Sequence, residues 1–335
     1  MRKFLALSLV LPFALCSLAA ALSAATGYHI LSEIKIGGEG GWDYLTVDSA
    51  ARRLYISHAT HVVVVDVDKN AVVGDIPDTP GVHGIAIAPD LGKGFISNGR
   101  GNNVTIFDLK TLKATGTVAT EMNPDAIRYD AVSKRVFAFN GRSRSATAID
   151  AKTGMAIGNI PLPGKPEFAQ ADGKGKVYVN IEDTNEIVEI DAATATVTKK
   201  YALTGCEGPS GLAIDTKTRH LFSVCGNRVM AVSDPDKGTV VATPPIGAGS
   251  DCVIFDAGTG YAISANGDGT MTVVQQTGGK YDVVENIATE RAARTIALDE
   301  KTHRVYTPTA AYGQAAAGGR GTQLPDSFKV LVVGK

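Results

Sequence analysis

Residues 126–160 read AIRYDAVSKRVFAFNGRSRSATAIDAKTGMAIGNI, and they show the pattern on which the rest of the chain is built. They contain four short apolar runs, which are AIRY, RVFAF, ATAID and MAIGNI. The segments between the runs are rich in turn-forming residues, because Gly and Asn accept a positive φ while Asp and Ser bond to nearby backbone. Apolar runs of about five residues that turns interrupt this often are typical of an antiparallel β-meander. One meander buries only a thin layer, so it needs partners.

The partners are copies of the same unit. An aromatic residue in the second run recurs at spacings of 40, 42, 41, 44, 39 and 45, as Tyr55, Phe95, Phe137, Tyr178, Phe222, Tyr261 and Tyr306. The Asp that ends the third run recurs independently as Asp66, Asp108, Asp150, Asp191 and Asp234, with Gln275 in the sixth place. A period of about 40 to 45 residues with four strands per unit is typical of a β-propeller. The sequence therefore predicts an all-β fold, a seven-bladed β-propeller of four-stranded antiparallel blades.

The first 25 residues have the pattern of a secretory signal peptide. Arg2 and Lys3 precede an apolar run from Phe4 to Leu22, and small residues follow at Ser23, Ala24 and Ala25. A membrane anchor is the alternative, but Pro12 and the small-residue end of the segment favour cleavage. We therefore predict a signal peptide at 1–25, one propeller domain at 26–335, a periplasmic or secreted location and no stable membrane insertion.

The two ends of the mature chain are predicted to meet in one blade. Residues 28–36 (YHILSEIKI) form a strand before the first complete repeat, and residues 327–333 (SFKVLVV) form a third strand with no fourth after it. The N-terminal strand is therefore expected to complete the seventh blade and to close the ring. The Ala- and Gly-rich segment 310–326 interrupts that blade and predicts a flap on one rim.

Charge and cysteine content narrow the class further. The chain has 33 basic and 34 acidic side chains, which gives no basic surface for nucleic acid, so a nucleic-acid partner is not expected. Three cysteines follow the signal peptide, Cys206, Cys225 and Cys252. In an exported protein this number predicts one disulfide, with Cys206–Cys225 favoured because both flank the fifth repeat, while metal ligation by the three thiols is the alternative.

The fourth repeat resembles a known family. KVYVNIEDTNEIVEID, residues 176–191, is similar to the Tyr-Val-Thr-Asn repeat of the YncE-like, or YVTN, β-propellers. The second to sixth repeats share its second strand, polar turn and third strand. Asn180 directly follows Val179 without the family's Thr, and other repeats depart further. The resemblance implies the architecture over the whole mature chain, but it does not imply an activity, because propellers host enzymes, binders and scaffolds.

Polar residues are predicted to surround one mouth of the central channel. The residue just before each innermost strand, about twelve before the aromatic marker, is polar in every repeat: Asp43, His83, Asp125, Glu167, Ser210, Asp251 and Arg294. A second tier in the hairpins between second and third strands includes Asn98 and Asn140. Acids that converge on one opening repel each other unless they share a cation, and Arg294, a protonated His83 or a metal ion could supply it.

These residues lead to two predicted sites. A metal site would use His83, Asp125, Glu167 and Asp251, and a ligand site would use Asp43, Glu167, Ser210, Asp251, Arg294, Asn98 and Asn140. Carboxylate-dominated ligation suits Ca²⁺ or Mg²⁺, whereas direct binding by His83 suits Zn²⁺, Mn²⁺ or iron. A mouth that holds only water is the alternative.

The favoured function is an exported, monomeric binding protein that holds a metal ion or a small polar ligand at this mouth. A metal-dependent hydrolase or lactonase that uses the same rim is one alternative. A protein-interaction scaffold without metal, whose partner is another exported protein, is the other.

Overall fold

The structure is a computed structural model that describes residues 25–314 and 321–335. The predicted signal peptide lies outside the described residues except for Ala25. Within the described ranges the strands form seven four-stranded antiparallel sheets, and the first strand of each repeat contacts the first strand of the next all the way round. This arrangement is the predicted seven-bladed β-propeller, with the first strand of each blade at the centre.

The first strand of the chain, β1 (His29–Lys35), belongs to the last blade, and the first three complete blades follow it. Blade 1 comprises β2 (Leu45–Asp48), β3 (Arg53–His58), β4 (His61–Asp66) and β5 (Ala71–Ile76). Blade 2 comprises β6 (Val82–Ala88), a short 3₁₀ helix (Pro89–Leu91), β7 (Lys93–Asn98), β8 (Asn103–Asp108) and β9 (Ala114–Ala119). Blade 3 comprises β10 (Pro124–Asp130), β11 (Arg135–Asn140), β12 (Ser145–Asp150) and β13 (Met155–Pro161).

The remaining blades repeat this plan with small changes in strand length. Blade 4 comprises β14 (Pro166–Ala171), β15 (Lys176–Ile181), β16 (Glu186–Asp191) and β17 (Thr196–Ala202). Blade 5 comprises β18 (Pro209–Ile214), β19 (Leu221–Cys225), β20 (Met230–Asp234) and β21 (Thr239–Ala242). Blade 6 comprises β22 (Ser250–Asp256), β23 (Tyr261–Asn266), β24 (Thr270–Thr277) and β25 (Lys280–Ala288). Blade 7 adds β26 (Ala297–Asp299), β27 (Arg304–Thr309) and β28 (Lys329–Gly334).

Blade 7 closes the ring as the sequence predicts. Its strands are ordered β1-β28-β27-β26, so the N-terminal strand is the outer strand beside the C-terminal one. Ile34 of β1 pairs with Val330 of β28, and both side chains are buried. The closure ties the two ends of the described chain into one sheet and covers the edge that β28 would otherwise present to other chains.

The repeating Asp that ends the third strand stabilises the turn to the fourth. In blade 3, Oδ1 of Asp150 accepts hydrogen bonds from the backbone N–H groups of Lys152 and Thr153, at 2.9 and 2.8 Å. The equivalent carboxylates Asp66, Asp108, Asp191 and Asp234 accept the same pair of bonds. These bonds satisfy backbone donors in the turn, which explains why an acid recurs at this position.

The aromatic marker of the second strand is a core residue between blades. Tyr55, Phe95, Phe137, Tyr178 and Tyr306 are fully buried, and Phe222 is nearly so. Tyr261 differs because it is only partly buried, and its ring meets Tyr28, just before β1, at a centroid distance of 6.4 Å. Burial of one large ring per blade therefore accounts for the periodicity that the sequence shows.

Blade 5 carries the disulfide Cys206–Cys225, with a Cα–Cα distance of 5.5 Å, and among the described cysteines Cys252 is free and buried. In the segment predicted as a flap, residues 311–313 pair with residues 322–324 through backbone hydrogen bonds, which forms a hairpin-like arm between β27 and β28. Within residues 25–314 and 321–335, no helix has the length and apolar character needed to cross a bilayer.

Candidate site at the channel mouth

The predicted ring positions lie at the start of the innermost strands, with one correction. His83, Asp125, Glu167, Ser210 and Asp251 are the second residues of their strands and do not precede them. In each case the residue before forms a bridge to the end of the second strand, as Val82 does with Asn98, and the register then shifts. The shift is a β-bulge, a feature that locally re-aims side chains. Asp43 and Arg294 precede β2 and β26 as predicted.

Three of these side chains form a compact cluster, which we call the trio: Asp43, His83 and Asp125. One ligand atom from each lies within 4.8 Å of the other two. His83 Nδ1 is 2.6 Å from Oδ2 of Asp43 and 3.7 Å from Oδ1 of Asp125. Oδ1 of Asp125 is buried and has no hydrogen-bond partner among the described residues. The trio therefore brings together three blades and leaves one buried carboxylate oxygen without a donor.

The other two predicted acids each have a basic partner. Glu167 lies 2.6 Å from Nζ of Lys165, which also contacts Glu182 at 2.5 Å. Asp251 lies 3.4 Å from Nε of Arg294. Sequence reasoning missed Lys165, although its position two residues before Glu167 places both side chains at the same mouth. Glu167 and Asp251 thus lie beside the trio as paired acids.

Burial and mutual repulsion shift the titration of the mouth. Burial, assisted by Asp43, raises the pKa of Asp125 to about 7, and burial raises the pKa of Glu167 to about 8 against the opposing charge of Lys165. Burial and Asp43 raise the pKa of Asp251 to about 6, although Arg294 acts in the opposite direction. Burial lowers the pKa of His83, but the hydrogen bond to Asp43 and the neighbouring carboxylates outweigh it and raise the pKa to about 9. Burial and mutual repulsion therefore displace the pKa values of these three carboxyl groups toward neutral pH.

Three other predicted ligand residues are engaged elsewhere. Ser210 Oγ donates to the carbonyl oxygen of Ser250 in the next blade, at 3.4 Å. Asn98 and Asn140 are fully buried, and their amide N–H groups donate to side chains of their own blades. The two asparagines therefore support the hairpins between second and third strands, while their side-chain oxygens are buried and have no hydrogen-bond partner among the described residues. The hydroxyl of Ser210 links two blades.

Next to the mouth acids in the chain, side chains from opposite blades meet. Tyr44 of blade 1 contacts Phe168 of blade 4 with ring centroids 4.8 Å apart, and the guanidinium of Arg128 lies 4.8 Å from the Phe168 ring. Burial, followed by the charges of the mouth acids, raises the pKa of Tyr44 well above its usual value, so its phenol stays neutral. We call these three residues the floor.

The innermost strands are linked by side chains that sequence reasoning also missed. Thr46, Arg128 and Gln170 occupy equivalent positions, opposite the aromatic marker. Each donates to the equivalent backbone carbonyl in the next blade, on Ile85, Ala169 and Leu212, at 2.6, 2.9 and 3.1 Å. These bonds satisfy carbonyl groups at the open edge of the inner strand. A polar residue eight or nine before the marker, as in blades 1, 3 and 4, is the sequence signal that could have found them.

Comparison with known proteins supports the fold and goes no further. No protein-family model matches the chain, and no curated protein is similar to it in sequence. Hydrazine synthase of Kuenenia stuttgartiensis is similar in structure, with a TM-score of 0.69 at 14% identity, covering 81% of this chain and 94% of that one. The structure of U3-55K is similar with a TM-score of 0.75 at 10% identity, covering 92% of this chain and 98% of that one. At these identities the likeness shows a seven-bladed β-propeller alone.

Proposed function

We propose that this protein is an exported β-propeller that binds a divalent metal ion through Asp43, His83 and Asp125. The observation that carries the proposal is the trio itself, with three ligand atoms within 4.8 Å and a buried Asp125 oxygen that lacks a donor. A buried acceptor without a hydrogen-bond partner is unusual in a folded protein. Such an oxygen is a candidate ligand for a cation. One imidazole and two carboxylates suit Zn²⁺, Mn²⁺ or Fe²⁺ better than Ca²⁺ or Mg²⁺.

The charges around the trio are consistent with exchange of a proton for a metal ion. In the ion-free protein, the positive charge of His83 offsets the acids, which is why its pKa is raised to about 9. A metal ligand must be deprotonated, so the ion replaces the imidazolium proton and affinity rises with pH. Glu167 and Asp251, with their partners Lys165 and Arg294, would orient water or a small polar ligand beside the ion.

Three features support the proposal that the protein is exported and is related to the YncE-like β-propellers. The apolar N-terminal segment has signal-peptide character. The disulfide Cys206–Cys225 is of a kind that persists in oxidising compartments such as the periplasm or the extracellular space. The residues that resemble the YVTN repeat form β15 and β16, the second and third strands of blade 4. We propose a monomer whose partner is a small polar ligand or another exported protein.

The test is metal content measured by mass spectrometry after chelation and reloading with Zn²⁺, Mn²⁺, Fe²⁺, Ca²⁺ or Mg²⁺ in turn. We expect about one ion per chain, lost in His83→Ala and Asp125→Ala. His61→Ala is the matched control, because His61 Nε2 also lies near a carboxylate, 3.7 Å from Asp75, on a hairpin outside the trio. A folded wild-type protein that holds none of the five ions, or a His61 variant as defective as the His83 variant, would rule out the metal site.

A metal-dependent hydrolase or lactonase is the second candidate, and the raised pKa values of Glu167 and Asp251 favour it. A general base works best when its pKa is near the working pH, and these groups have pKa values of about 8 and 6. Turnover of a lactone and ester panel by the metal-loaded protein, with a loss of at least about 100-fold in Glu167→Gln or Asp251→Asn, would support the enzyme. Metal binding without turnover would support the binder.

A scaffold is the third candidate, and exposed apolar side chains on the outermost strands favour it. Val72 and Val73 of β5 and Met155 and Ile157 of β13 are each close to or more than half exposed. Such residues suit contact with another exported protein. A folded, metal-free protein that retains an exported partner after Asp125→Ala would support this class.

A further inference from the structure

A cleft beside the mouth has the features of a second binding site. It has a volume of about 420 Å³ and lies where blades 1, 6 and 7 meet the arm formed by residues 311–313 and 322–324. Gly41, Trp42, Gly267, Arg291, Arg294 and Gln323 line it. The volume is within the range of small-molecule sites. The cleft shares Arg294 with the mouth but contains none of the trio.

Two guanidinium groups give the cleft its charge. Arg294 uses Nε to reach Asp251 at 3.4 Å, which leaves its two terminal nitrogens for another partner. Arg291 is exposed, and no carboxylate of the described residues lies within ion-pair distance of it. An arginine fork matches the two oxygens of a carboxylate, so these side chains favour an anion with that geometry.

Two residues that line the cleft carry hydrogen-bond donors without acceptors. Trp42 Nε1 and Gln323 Nε2 are buried, and neither has a partner among the described residues. The acidic side chain at the wall, Asp268, does not supply one, because its oxygens accept from the backbone N–H of Ala248 at 2.6 Å and from Thr270 Oγ1 at 2.7 Å. Buried donors normally have acceptors, so the two unpaired N–H groups point to an acceptor-rich ligand.

Much of the remaining wall is apolar. The Trp42 ring is stacked on Phe328, with centroids 5.0 Å apart and planes 25° from parallel. Gly41, Ala248 and Ala292 add surfaces without polar side chains. A ligand held by the two arginines therefore also meets aromatic and aliphatic surface.

We propose that this cleft binds a small organic monocarboxylate with an apolar or aromatic body. The carboxylate bonds to Arg291 and Arg294, and the body lies against Trp42. A single negative charge fits better than a phosphate dianion, because Asp251 already offsets part of the charge on Arg294 and the mouth acids lie close by. The site takes an anion where the trio takes a cation, so it goes beyond the proposed metal binding and does not depend on it.

Trp42 makes the proposal directly measurable, because it is the only tryptophan of the chain. Tryptophan fluorescence and calorimetry would be recorded while benzoate, phenylacetate and butyrate are titrated into the full mature chain. Benzamide and phenylacetamide are the uncharged controls, and inorganic phosphate tests a different anion. We expect saturable changes with phenylacetate or benzoate, and none with the amides or phosphate. Equal binding of amide and acid, or no binding of any acid at millimolar concentration, would overturn the proposal.

Several variants test the residues that line the cleft, so that misfolding of any one variant does not decide the result. Arg291→Gln and Arg294→Gln are expected to weaken carboxylate binding by about 10- to 100-fold. Arg142→Gln, an exposed arginine on a blade 3 hairpin of the same rim, is the matched control and should leave binding unchanged. Gly41→Leu should narrow the cleft, and a Cβ at this position meets no atom within 4 Å. Binding that survives Gly41→Leu, or that Arg142→Gln weakens equally, would place the ligand elsewhere.

Each titration is carried out on chelated and on metal-loaded protein. Carboxylate binding in the chelated protein separates this site from the trio. Binding that appears only with metal, and that Asp125→Ala abolishes, would instead place the carboxylate on the ion and overturn the cleft. A chain that takes no metal but binds phenylacetate would refute the metal proposal alone.

Discussion

At the scale of single residues, the mouth gathers groups whose surroundings oppose their charged forms. Asp125 is the clearest case, since its carboxyl is buried, lies near Asp43 and has an oxygen without a donor. A buried group of this kind reduces stability when it is ionised. Residues that serve binding often lower the stability of the fold in this way. Removal of the charge should then stabilise the protein, whereas removal of a purely structural carboxylate should not.

Asp125→Asn is predicted to stabilise the chelated protein while it abolishes metal binding. The pKa of Asp125 is raised from 3.8 to about 7, so its cost to folding grows between these values and is fully present above pH 7. Denaturant unfolding at pH 8 should show a gain on the order of 1–2 kcal/mol. Asp75→Asn, on an exposed carboxyl, should change stability by less than about 0.5 kcal/mol. A large loss of stability in Asp125→Asn would assign the residue to the framework.

His83 is predicted to stabilise the chelated protein in a pH-dependent way. Its pKa is raised from 6.5 to about 9 in the folded state, so the stabilisation is fully present below pH 6.5 and is lost as pH rises through 9. Unfolding measured from pH 6 to 10 should show His83→Gln less stable than wild type by up to about 3 kcal/mol at pH 6, with the two curves converging above pH 9. A constant difference across the range would contradict the protonated histidine.

At the scale of elements, blade 5 depends on a covalent link as well as on its sheet. Its fourth strand, β21, is short, and the disulfide joins β19 to the loop that precedes β18. The link closes a loop with a sequence separation of 19 residues, which restricts the unfolded chain.

Cys206→Ser is predicted to lower stability by about 3 kcal/mol under oxidising conditions, because the loop-closure constraint is lost. With reductant present, wild type and variant should unfold at nearly the same denaturant concentration. Cys252→Ser is the matched control, since Cys252 is buried and free, and its effect should not depend on the redox state. Equal losses for Cys206→Ser with and without reductant would show that the bond does not form.

At the scale of the whole molecule, the ring depends on closure by β1. The innermost strand of each blade contacts the innermost strands of the two adjacent blades, so an open seventh blade would leave one interface weak and one strand edge bare. Closure of this kind couples the first described strand to the last.

Deletion of residues 26–36 is predicted to lower the midpoint of thermal unfolding by at least about 10 °C and to promote association through the bare edge of β28. Light scattering and calorimetry would measure both effects. A synthetic peptide of residues 26–36 should restore stability in trans by adding back the strand. A truncated protein that stays monomeric and equally stable would show that β1 is dispensable.

Periodic features of the fold could be predicted from the sequence, and features that depend on contacts across blades could not. The aromatic markers and turn aspartates recur because each blade buries one ring and caps one turn. The seven-bladed architecture could therefore be predicted from the spacing of these residues, and ring closure from the unpaired first and last strands. Ring positions such as His83 and Asp125 were found for the same reason. Their partners were not, because Lys165 pairs with Glu167 through side-chain reach and Trp42 reaches Phe328 through closure at blade 7.

The floor formed by Tyr44, Phe168 and Arg128 has a consequence for the ring as a whole. Tyr44 belongs to blade 1 and Phe168 to blade 4, so their contact crosses the ring instead of following its circumference. The propeller is therefore braced across its diameter as well as between adjacent blades.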